Sequence, residues 1–304
     1  MIVIDSVSKR FRKTVALDNV SFEVRNSEVV GYVGLNGAGK TTTIRIAVGV
    51  LPPDKGDVYI DGYSVLRDKK RASMFIGWVP ELPIYEMDFR ALDYFVYLAG
   101  YYGLSVGEAR ELGRKLLDEV GLGDALNKKL AEFSQGMKKR FALAVSMINN
   151  PPNFLFDEVL NGLDPQGIAF FRELAVKFRR EGRAVLFSSH ILSEVEGICD
   201  RVVFIHRGRI IGVYTMDEIR YRASPAIEID LSKIDRDVFN ILSKYGEPEV
   251  LNNNKVILRK PRSDTEVILS ELVSRGIGVR EVKRVEKSLE EFFFSLVKEA
   301  EEGR

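Results

Sequence analysis

GLNGAGKT at residues 34–41 is a complete G-x-x-x-x-G-K-S/T phosphate-binding motif, placed between an apolar run at residues 29–33 and a stretch compatible with a helix. Its glycines let the backbone curl so that successive N–H groups point at phosphate oxygens, and the helix that opens at Lys40 adds its positive end. Lys40 is expected to hold the β- and γ-phosphates as a point charge, and Thr41 to place a hydroxyl on Mg²⁺. The residues expected to contact a nucleotide here are Gly34, Asn36, Gly37, Ala38, Gly39, Lys40, Thr41 and Thr42.

Composition limits the class of protein. The 304 residues suffice for one large and one smaller domain, and 45 Lys+Arg against 44 Asp+Glu give no overall bias toward a polyanion. We therefore expect no nucleic-acid partner. The single cysteine, Cys199, excludes an internal disulfide, suits a reducing compartment and is predicted to be a small buried residue.

Location follows from hydropathy. No segment approaches the roughly 18 consecutive apolar residues of a membrane span. The first residues lack the basic region and the long apolar region of a signal peptide. We therefore expect a cytoplasmic chain.

Two further apolar strands deliver polar side chains at their carboxyl ends. Residues 154–156 precede Asp157 and Glu158, and residues 184–187 lead to His190. Ligands of open α/β sheets bind at the carboxyl edge of the strands. These three side chains are therefore expected to face the phosphate loop.

Four other features are less specific. Phe11, in a basic stretch, either stacks on a flat ligand such as a nucleobase or packs on its own sheet. Ser134 is a natural N-cap of a helix whose N–H groups can face an anion. Apolar spacing predicts a helical lobe over about 85–150, whose aromatic residues either form its core or floor a groove for a partner helix. His206, beside Arg207, is expected to be an exposed turn residue.

Over about residues 1–220 the ordered motifs resemble those of the nucleotide-binding subunit of an ABC transporter. In that family the phosphate loop is followed by a Gln loop, an LSGGQ-like signature, an apolar strand ending in Asp-Glu, a Leu-Asp loop and a switch histidine. The corresponding segments here are residues 34–41, Pro80-Glu81, residues 133–137, residues 154–158, Leu163-Asp164 and His190. The resemblance implies an α/β fold: a P-loop NTPase cassette with a RecA-like core, an antiparallel β subdomain and a helical subdomain.

The resemblance also implies a chemistry, ATP hydrolysis with Mg²⁺ as cofactor. Glu158 orients and polarises the attacking water, His190 contacts the γ-phosphate, and Phe11 matches the aromatic side chain that stacks on adenine. The implied catalytic residues are Glu158, His190 and Lys40, and the implied metal ligands are Thr41, Glu81 and Asp157.

Ser134 and Gly136 are implied to act across a subunit interface. They cap the γ-phosphate bound by a second subunit, so that two ATP molecules join a head-to-tail homodimer or paralogous heterodimer. Asp164, in the Leu-Asp loop, completes the expected nucleotide-binding set. Closure and reopening of this dimer pull on integral-membrane permease subunits at the inner face of the cell membrane.

Three positions depart from the family pattern. Glu81 stands where the family has Gln; a carboxylate can reach Mg²⁺ but adds negative charge beside the triphosphate. The signature at residues 133–137 is Phe-Ser-Gln-Gly-Met, which retains Ser134 and Gly136. Val159 replaces the proline that commonly follows Asp-Glu.

The pattern changes after residue 220. Residues 224–304 predict the order β-α-β-β-α-β, a small α+β domain of ferredoxin-like type. A last helix is predicted from Ser288, with Ser288 and Glu291 as a capping box. Its first residues resemble the Ser-Leu-Glu-Glu-x-Phe element of export-type ATPase subunits, which implies export.

The sequence leaves two alternatives open, a soluble ABC-type ATPase outside transport and an ATP-gated regulatory module. An ABC-type ATPase of DNA maintenance carries a long heptad-repeat insertion, and one that acts on ribosomes usually has two cassettes. This sequence has one phosphate loop and no heptad repeat.

Overall fold

The central sheet has six strands in the order β10-β9-β3-β8-β7-β6. All neighbours are parallel except β10, an antiparallel edge strand on β9. The strands are β3 (Glu28–Val33), β6 (Ile76–Val79), β7 (Asn153–Phe156), β8 (Ala184–Ser189), β9 (Arg201–His206) and β10 (Arg209–Thr215). Every residue of β7 and β8 is buried, as expected for a parallel sheet covered on both faces.

The structure is a computed structural model that describes residues 1–190, 192–223, 225–285 and 289–302. It divides into two units, Met1–Met216 and Asp217–Arg304. This division lies in helix α8 (Met216–Ala223), close to the predicted boundary between residues 220 and 224. Ser288, the predicted cap of the last helix, lies outside the described residues.

Helices follow strands β3, β7 and β8 along the chain. They are α1 (Lys40–Ala47), α6 (Pro165–Arg180) and α7 (Leu192–Glu196). The start of α6 is well determined by the sequence, because Asp164 caps it by accepting from the N–H of Gly167 (2.8 Å) and Pro165 fills the first turn. Its apolar face packs on the sheet, where the rings of Phe178 and Phe154 stack at 4.1 Å.

An antiparallel sheet in the order β2-β1-β4-β5 lies beside this core. Its strands are β1 (Ile2–Phe11), β2 (Thr14–Val24), β4 (Lys55–Ile60) and β5 (Tyr63–Ser64), and a short helix, α2 (Lys69–Met74), follows them. The buried faces of these strands share one apolar core with Tyr32, Leu155 and Leu186 of the central sheet.

The helical lobe contains three helices, α3 (Ala91–Gly100), α4 (Val106–Glu119) and α5 (Gln135–Ser146). Ser105 and Glu108 form a capping box on α4, and the hydroxyl of Ser134 caps α5 by accepting from the N–H of Met137 (3.2 Å). Close approach of α3 and α4 requires Gly113, where a Cβ would lie 2.7 Å from the Phe95 ring.

The second unit builds its own antiparallel sheet in the order β12-β13-β11-β14. Its elements are β11 (Ala226–Leu231), α9 (Arg236–Tyr245), β12 (Glu247–Val250), β13 (Lys255–Arg259), α10 (Thr265–Ser274), β14 (Val279–Val285) and α11 (Leu289–Glu302). A separate apolar core includes Ile229, Leu242 and Leu272. The predicted fold class, an α/β cassette followed by a ferredoxin-like unit, is confirmed.

The exposure of two side chains can be compared with the prediction from the sequence. Cys199 is buried as predicted, and burial raises the pKa of its thiol. The prediction for His206 is wrong: it ends β9 and is only 9% exposed. Within the described ranges, no helix has both the length and the apolar character needed to cross a membrane.

Candidate nucleotide site

The phosphate loop joins β3 to α1 at the carboxyl edge of the central sheet. Gly37 and Gly39 have φ of 78° and 115°, in the left-handed region that favours glycine. Gly34 has no room for a side chain, because a Cβ there would lie 2.3 Å from the carbonyl oxygen of Ile205. The local backbone therefore needs the glycines that the motif supplies.

Lys40 points its ammonium group back into this loop. Its Nζ donates to the carbonyl oxygens of Gly34 (2.7 Å) and Leu35 (3.3 Å) and lies 3.0 Å from Glu158 Oε1. Both charged side chains are more than nine-tenths buried. An incoming phosphate therefore meets a lysine that is already paired with a carboxylate.

Asp157 follows directly after β7 and is buried. Its Oδ1 accepts from the hydroxyls of Ser188 (2.9 Å) and Thr41 (3.1 Å). Burial raises the pKa of Asp157, and these two hydrogen bonds oppose that shift. Thr41 and Asp157 thus place two oxygen atoms together, the ligand type that Mg²⁺ prefers.

Glu158 occupies a left-handed backbone conformation, with φ of 47°. Its N–H donates to Ser188 Oγ (2.9 Å), which fixes the backbone against β8. Besides Lys40, its carboxylate meets Asn161, whose Nδ2 donates to Oε2 (3.1 Å), and His190, whose Nδ1 lies 3.0 Å from Oε2. The carboxylate is therefore held between the phosphate loop and His190.

These side chains border a cleft of about 410 Å³. Of the predicted site residues, the cleft is lined by Asn36, Gly37, Gly39, Lys40, Thr41, Thr42, Glu81, Glu158 and His190. Gly34 and Ala38 belong to the same loop without lining the cleft, and Asp157 reaches it through Thr41.

Four predicted residues lie elsewhere. Phe11 is 45% exposed at the end of β1, with the Lys9 ammonium 5.7 Å from its ring centroid. The neighbouring strand β2 does line the cleft, through residues 14–16. Ser134, Gly136 and Asp164 are not among the residues that line it. Their roles toward a nucleotide stay predictions.

Three contacts of the site were not predicted from the sequence. Asn161 lines the cleft, Ser188 joins Asp157 to the Glu158 backbone, and Lys139 donates to carbonyl groups of the same turn. A signal existed for Ser188, because it stands at the carboxyl end of a buried strand. Lys139 is a charged residue among the buried apolar residues of α5, which is itself a signal.

A glycine-rich loop at a helix N-terminus, beside acidic residues at the end of a parallel strand, defines a P-loop nucleoside triphosphatase. Residues 17–161 match the ABC transporter family. The chain is 32% identical over 304 residues to the ABC transporter ATP-binding protein YhcH of Bacillus subtilis, covering 98% of this chain and 96% of that protein. It is 30% identical to the bacitracin transport ATP-binding protein BcrA of Bacillus licheniformis, covering 96% of this chain and 95% of that protein.

Solved structures agree with this assignment. One, of the ATP-binding subunit of an ABC transporter, has a TM-score of 0.67 and 32% identity, covering 73% of this chain and 92% of that one. A bacterial ABC transporter cassette solved as a dimer shares the fold, with a TM-score of 0.64 and 24% identity, covering 71% and 99%. The chain therefore belongs to the ABC transporter family: it is an ATP-binding subunit that hydrolyses ATP. Subunits of this family work with membrane permeases.

Proposed function

We propose that the chain is the ATPase subunit of an exporter, bound at the cytoplasmic face of the membrane to separate permease chains. One observation carries the enzymatic part of the proposal: the Glu158 carboxylate is held between Lys40 and His190 at the edge of the phosphate loop. ATP lies with its phosphates on this loop. The adenine ring stacks on Phe11.

The reaction needs positioning and charge stabilisation more than covalent chemistry. Lys40 exchanges its ion pair with Glu158 for the β- and γ-phosphates. The released Glu158 carboxylate accepts a hydrogen bond from the attacking water and polarises it. His190, about a third exposed, contacts the γ-phosphate and holds the carboxylate in place.

The donor set fits Mg²⁺. Thr41 supplies a hydroxyl and Asp157 a buried carboxylate, and Mg²⁺ usually combines one or two such carboxylates with substrate phosphates and water. Glu81 lines the same cleft as a third oxygen donor, and its charge acts on Asp157. When bound, the ion neutralises negative charge on the phosphates.

Ser134, Gly136 and Asp164 complete the site of a second subunit in this proposal. Ser134 is exposed at the first turn of α5, where free N–H groups and the helix dipole favour an anion. The cassette solved as a dimer supports association of two chains. The resulting homodimer or paralogous heterodimer closes over two ATP molecules in head-to-tail order.

Export and a permease partner have two supports. Similar proteins are a linearmycin resistance ATP-binding protein of Bacillus subtilis, 27% identical, and a Nod factor export ATP-binding protein of Burkholderia thailandensis, 34% identical. The helical lobe and the loop before it also expose a set of apolar side chains, four of them aromatic and each at least 40% accessible, which is called here the aromatic surface. This surface consists of Leu82, Ile84, Met87, Phe89, Tyr97, Tyr101 and Tyr102. Aromatic residues and Met are enriched where proteins associate.

ATP turnover by the purified chain tests the enzymatic part. Glu158→Gln should lower kcat by about 10²-fold or more, the usual contribution of a general base. It should retain or improve ATP binding, because it frees Lys40 from an ion pair. Glu119→Gln, which alters an ion pair with Lys177 on the surface, is the control and should keep native turnover. Native turnover by Glu158→Gln would show that the carboxylate is not needed for hydrolysis.

Isolation from native membranes tests the transport part. The tagged chain should be recovered with a polytopic membrane protein. Substitution of Tyr101 by Glu, on the aromatic surface, should reduce that recovery while leaving ATP binding intact. Recovery with ribosomes or DNA instead would contradict the proposal.

A further inference from the structure

Lys139 is a buried lysine to which the proposed mechanism gives no task. It lies in α5, one turn after the Ser134 cap, and is 7% exposed. Its ammonium donates to three backbone carbonyl groups, those of Glu158 (2.8 Å), Val159 (3.1 Å) and Asn161. An ammonium group has three N–H donors, so each one has an acceptor.

The three acceptors belong to one turn, residues 158–161. This turn carries Glu158 in its left-handed conformation, which a residue other than glycine keeps only when its surroundings hold it. Asn161, at the other end of the turn, donates from its side chain to the Glu158 carboxylate. The ammonium of Lys139 therefore fixes both ends of the segment that aims this carboxylate.

The surroundings of the Lys139 ammonium differ from those of the Lys40 ammonium. Burial lowers the pKa of Lys139, while the carboxylates of Glu158, Glu81, Glu194 and Asp157 favour its charged form. With its donors committed to carbonyl groups, Lys139 has none to offer a phosphate. Lys40 differs because a phosphate can replace its carboxylate partner.

We infer that Lys139 is a positioning residue for hydrolysis, which holds the turn at residues 158–161 so that the Glu158 carboxylate faces the phosphate loop. The inference rests on the proposed role of Glu158. It also links two parts of the chain, because the helix that presents Ser134 to a second subunit holds the turn that carries Glu158.

Two substitutions distinguish the contribution of the Lys139 ammonium group from that of its aliphatic stem. Lys139→Met keeps the length and apolar character of the stem and removes all donors, whereas Lys139→Gln keeps two N–H donors. We expect Lys139→Met to lower kcat by about 10²-fold, the effect of displacing a catalytic group by about 1 Å. The KM for ATP should stay within about threefold, since binding energy shared by ground and transition states is retained. Lys139→Gln should recover part of the lost kcat.

The control is Lys177→Met, which removes a half-exposed, ion-paired lysine from another helix and should keep native kcat and KM. Native kcat in Lys139→Met would overturn the inference. An equal loss in kcat and ATP affinity would also overturn it, because that result indicates general disruption of the cleft.

Hydrogen exchange of the ATP-free protein gives a second measurement that does not depend on activity. In Lys139→Gln, amide exchange should accelerate at residues 158–163 and stay native across β3 and α1. Unchanged exchange at residues 158–163 would overturn the inference even if Lys139→Met failed to fold. Absence of turnover in the native chain would contradict the proposed function instead, and exchange alone would then decide whether Lys139 holds the turn.

Discussion

The buried carboxyl of Asp157 destabilises the ATP-free chain at neutral pH. Its pKa lies above the ordinary value of 3.8, chiefly because burial disfavours the charged form. A group whose pKa is raised by folding contributes stability below its unfolded pKa, and this contribution is lost as the pH rises through its folded pKa. Asp157 therefore works against folding at pH 7, and the metal-binding role proposed for it would account for a buried carboxylate at this position.

Asp157→Asn should raise the free energy of unfolding of the ATP-free chain by on the order of 1 kcal/mol at neutral pH. The amide oxygen can still accept from Thr41 and Ser188, and no charge is buried. The gain should shrink as the pH falls through the raised pKa of the native carboxyl, because protonation removes the buried charge. Urea unfolding at several pH values measures it, with Asp93→Asn at a half-exposed site as the control. A gain that is independent of pH would contradict the electrostatic cause.

Glu81 adds a negative charge to the cleft where the family has an amide. Glu81→Gln should keep kcat within about an order of magnitude, because an amide oxygen can still serve as a metal ligand. ATP should bind at least as tightly, since one charge near the triphosphate is gone. Steady-state kinetics with varied ATP and Mg²⁺ check both expectations. Complete loss of activity would show that the carboxylate has a specific task.

Among the elements, the phosphate loop allows a matched comparison of two glycines. Both Gly37 and Gly39 have positive φ, but a Cβ at Gly37 would meet no atom within 4 Å. A Cβ at Gly39 would lie 2.7 Å from Leu17 Cδ2 and 2.8 Å from the Ala16 carbonyl oxygen. Strand β2, which lines the cleft, therefore leaves no room for a side chain at Gly39, whereas a side chain at Gly37 would meet no neighbour.

Gly37→Ala should cost about 1–2 kcal/mol of stability, the usual strain of a left-handed residue. Gly39→Ala should cost more and weaken ATP binding further, because β2 or the loop must move. Thermal unfolding and ATP titration of the two variants provide the measurement. Equal effects in both assays would mean that contact with β2 does not define the loop.

The elements that the sequence predicted are those with a strong local signal. Buried parallel strands such as β7 and β8 contain continuous apolar runs, and Ser134 is a polar cap directly before its helix. Helix α2 was missed because it has six residues and one buried side chain, Ala72, so that no period can be seen. The burial of His206 depends on neighbours far along the chain, which local patterns do not report.

The candidate site shows the same limit. Motif order identified the side chains at the strand ends, because each follows an apolar run. It did not predict that Glu158 binds Lys40 in the ATP-free chain, or that Lys139 binds the turn after β7. Each contact joins residues of two different elements, and the packing of those elements brings them together.

At the scale of the whole molecule, the two halves of the proposed shared site lie at different places on one chain. The cleft contains Lys40, Glu158 and His190, whereas Ser134 lies exposed at the start of α5 and does not line it. If Ser134 contacts the nucleotide bound by another chain, two inactive variants with different defects can together form a site that hydrolyses ATP. A chain that forms its site alone cannot be restored in this way.

Lys40→Ala and Ser134→Arg should each abolish turnover alone, the first by removing the phosphate ligand and the second by blocking the interface with a bulky charge. In an equal mixture, the mixed dimer has one site with both defects and one site with native Lys40 and native Ser134. With random pairing and independent sites, activity should return to about one quarter of the native value. The control mixes Lys40→Ala with Glu158→Gln, two defects in the same half-site, which leaves a defect in both sites of the mixed dimer and should restore nothing. Restoration in the control as well as in the test pair would contradict the head-to-tail arrangement, and failure of the test pair would place Ser134 outside the nucleotide site of a second chain.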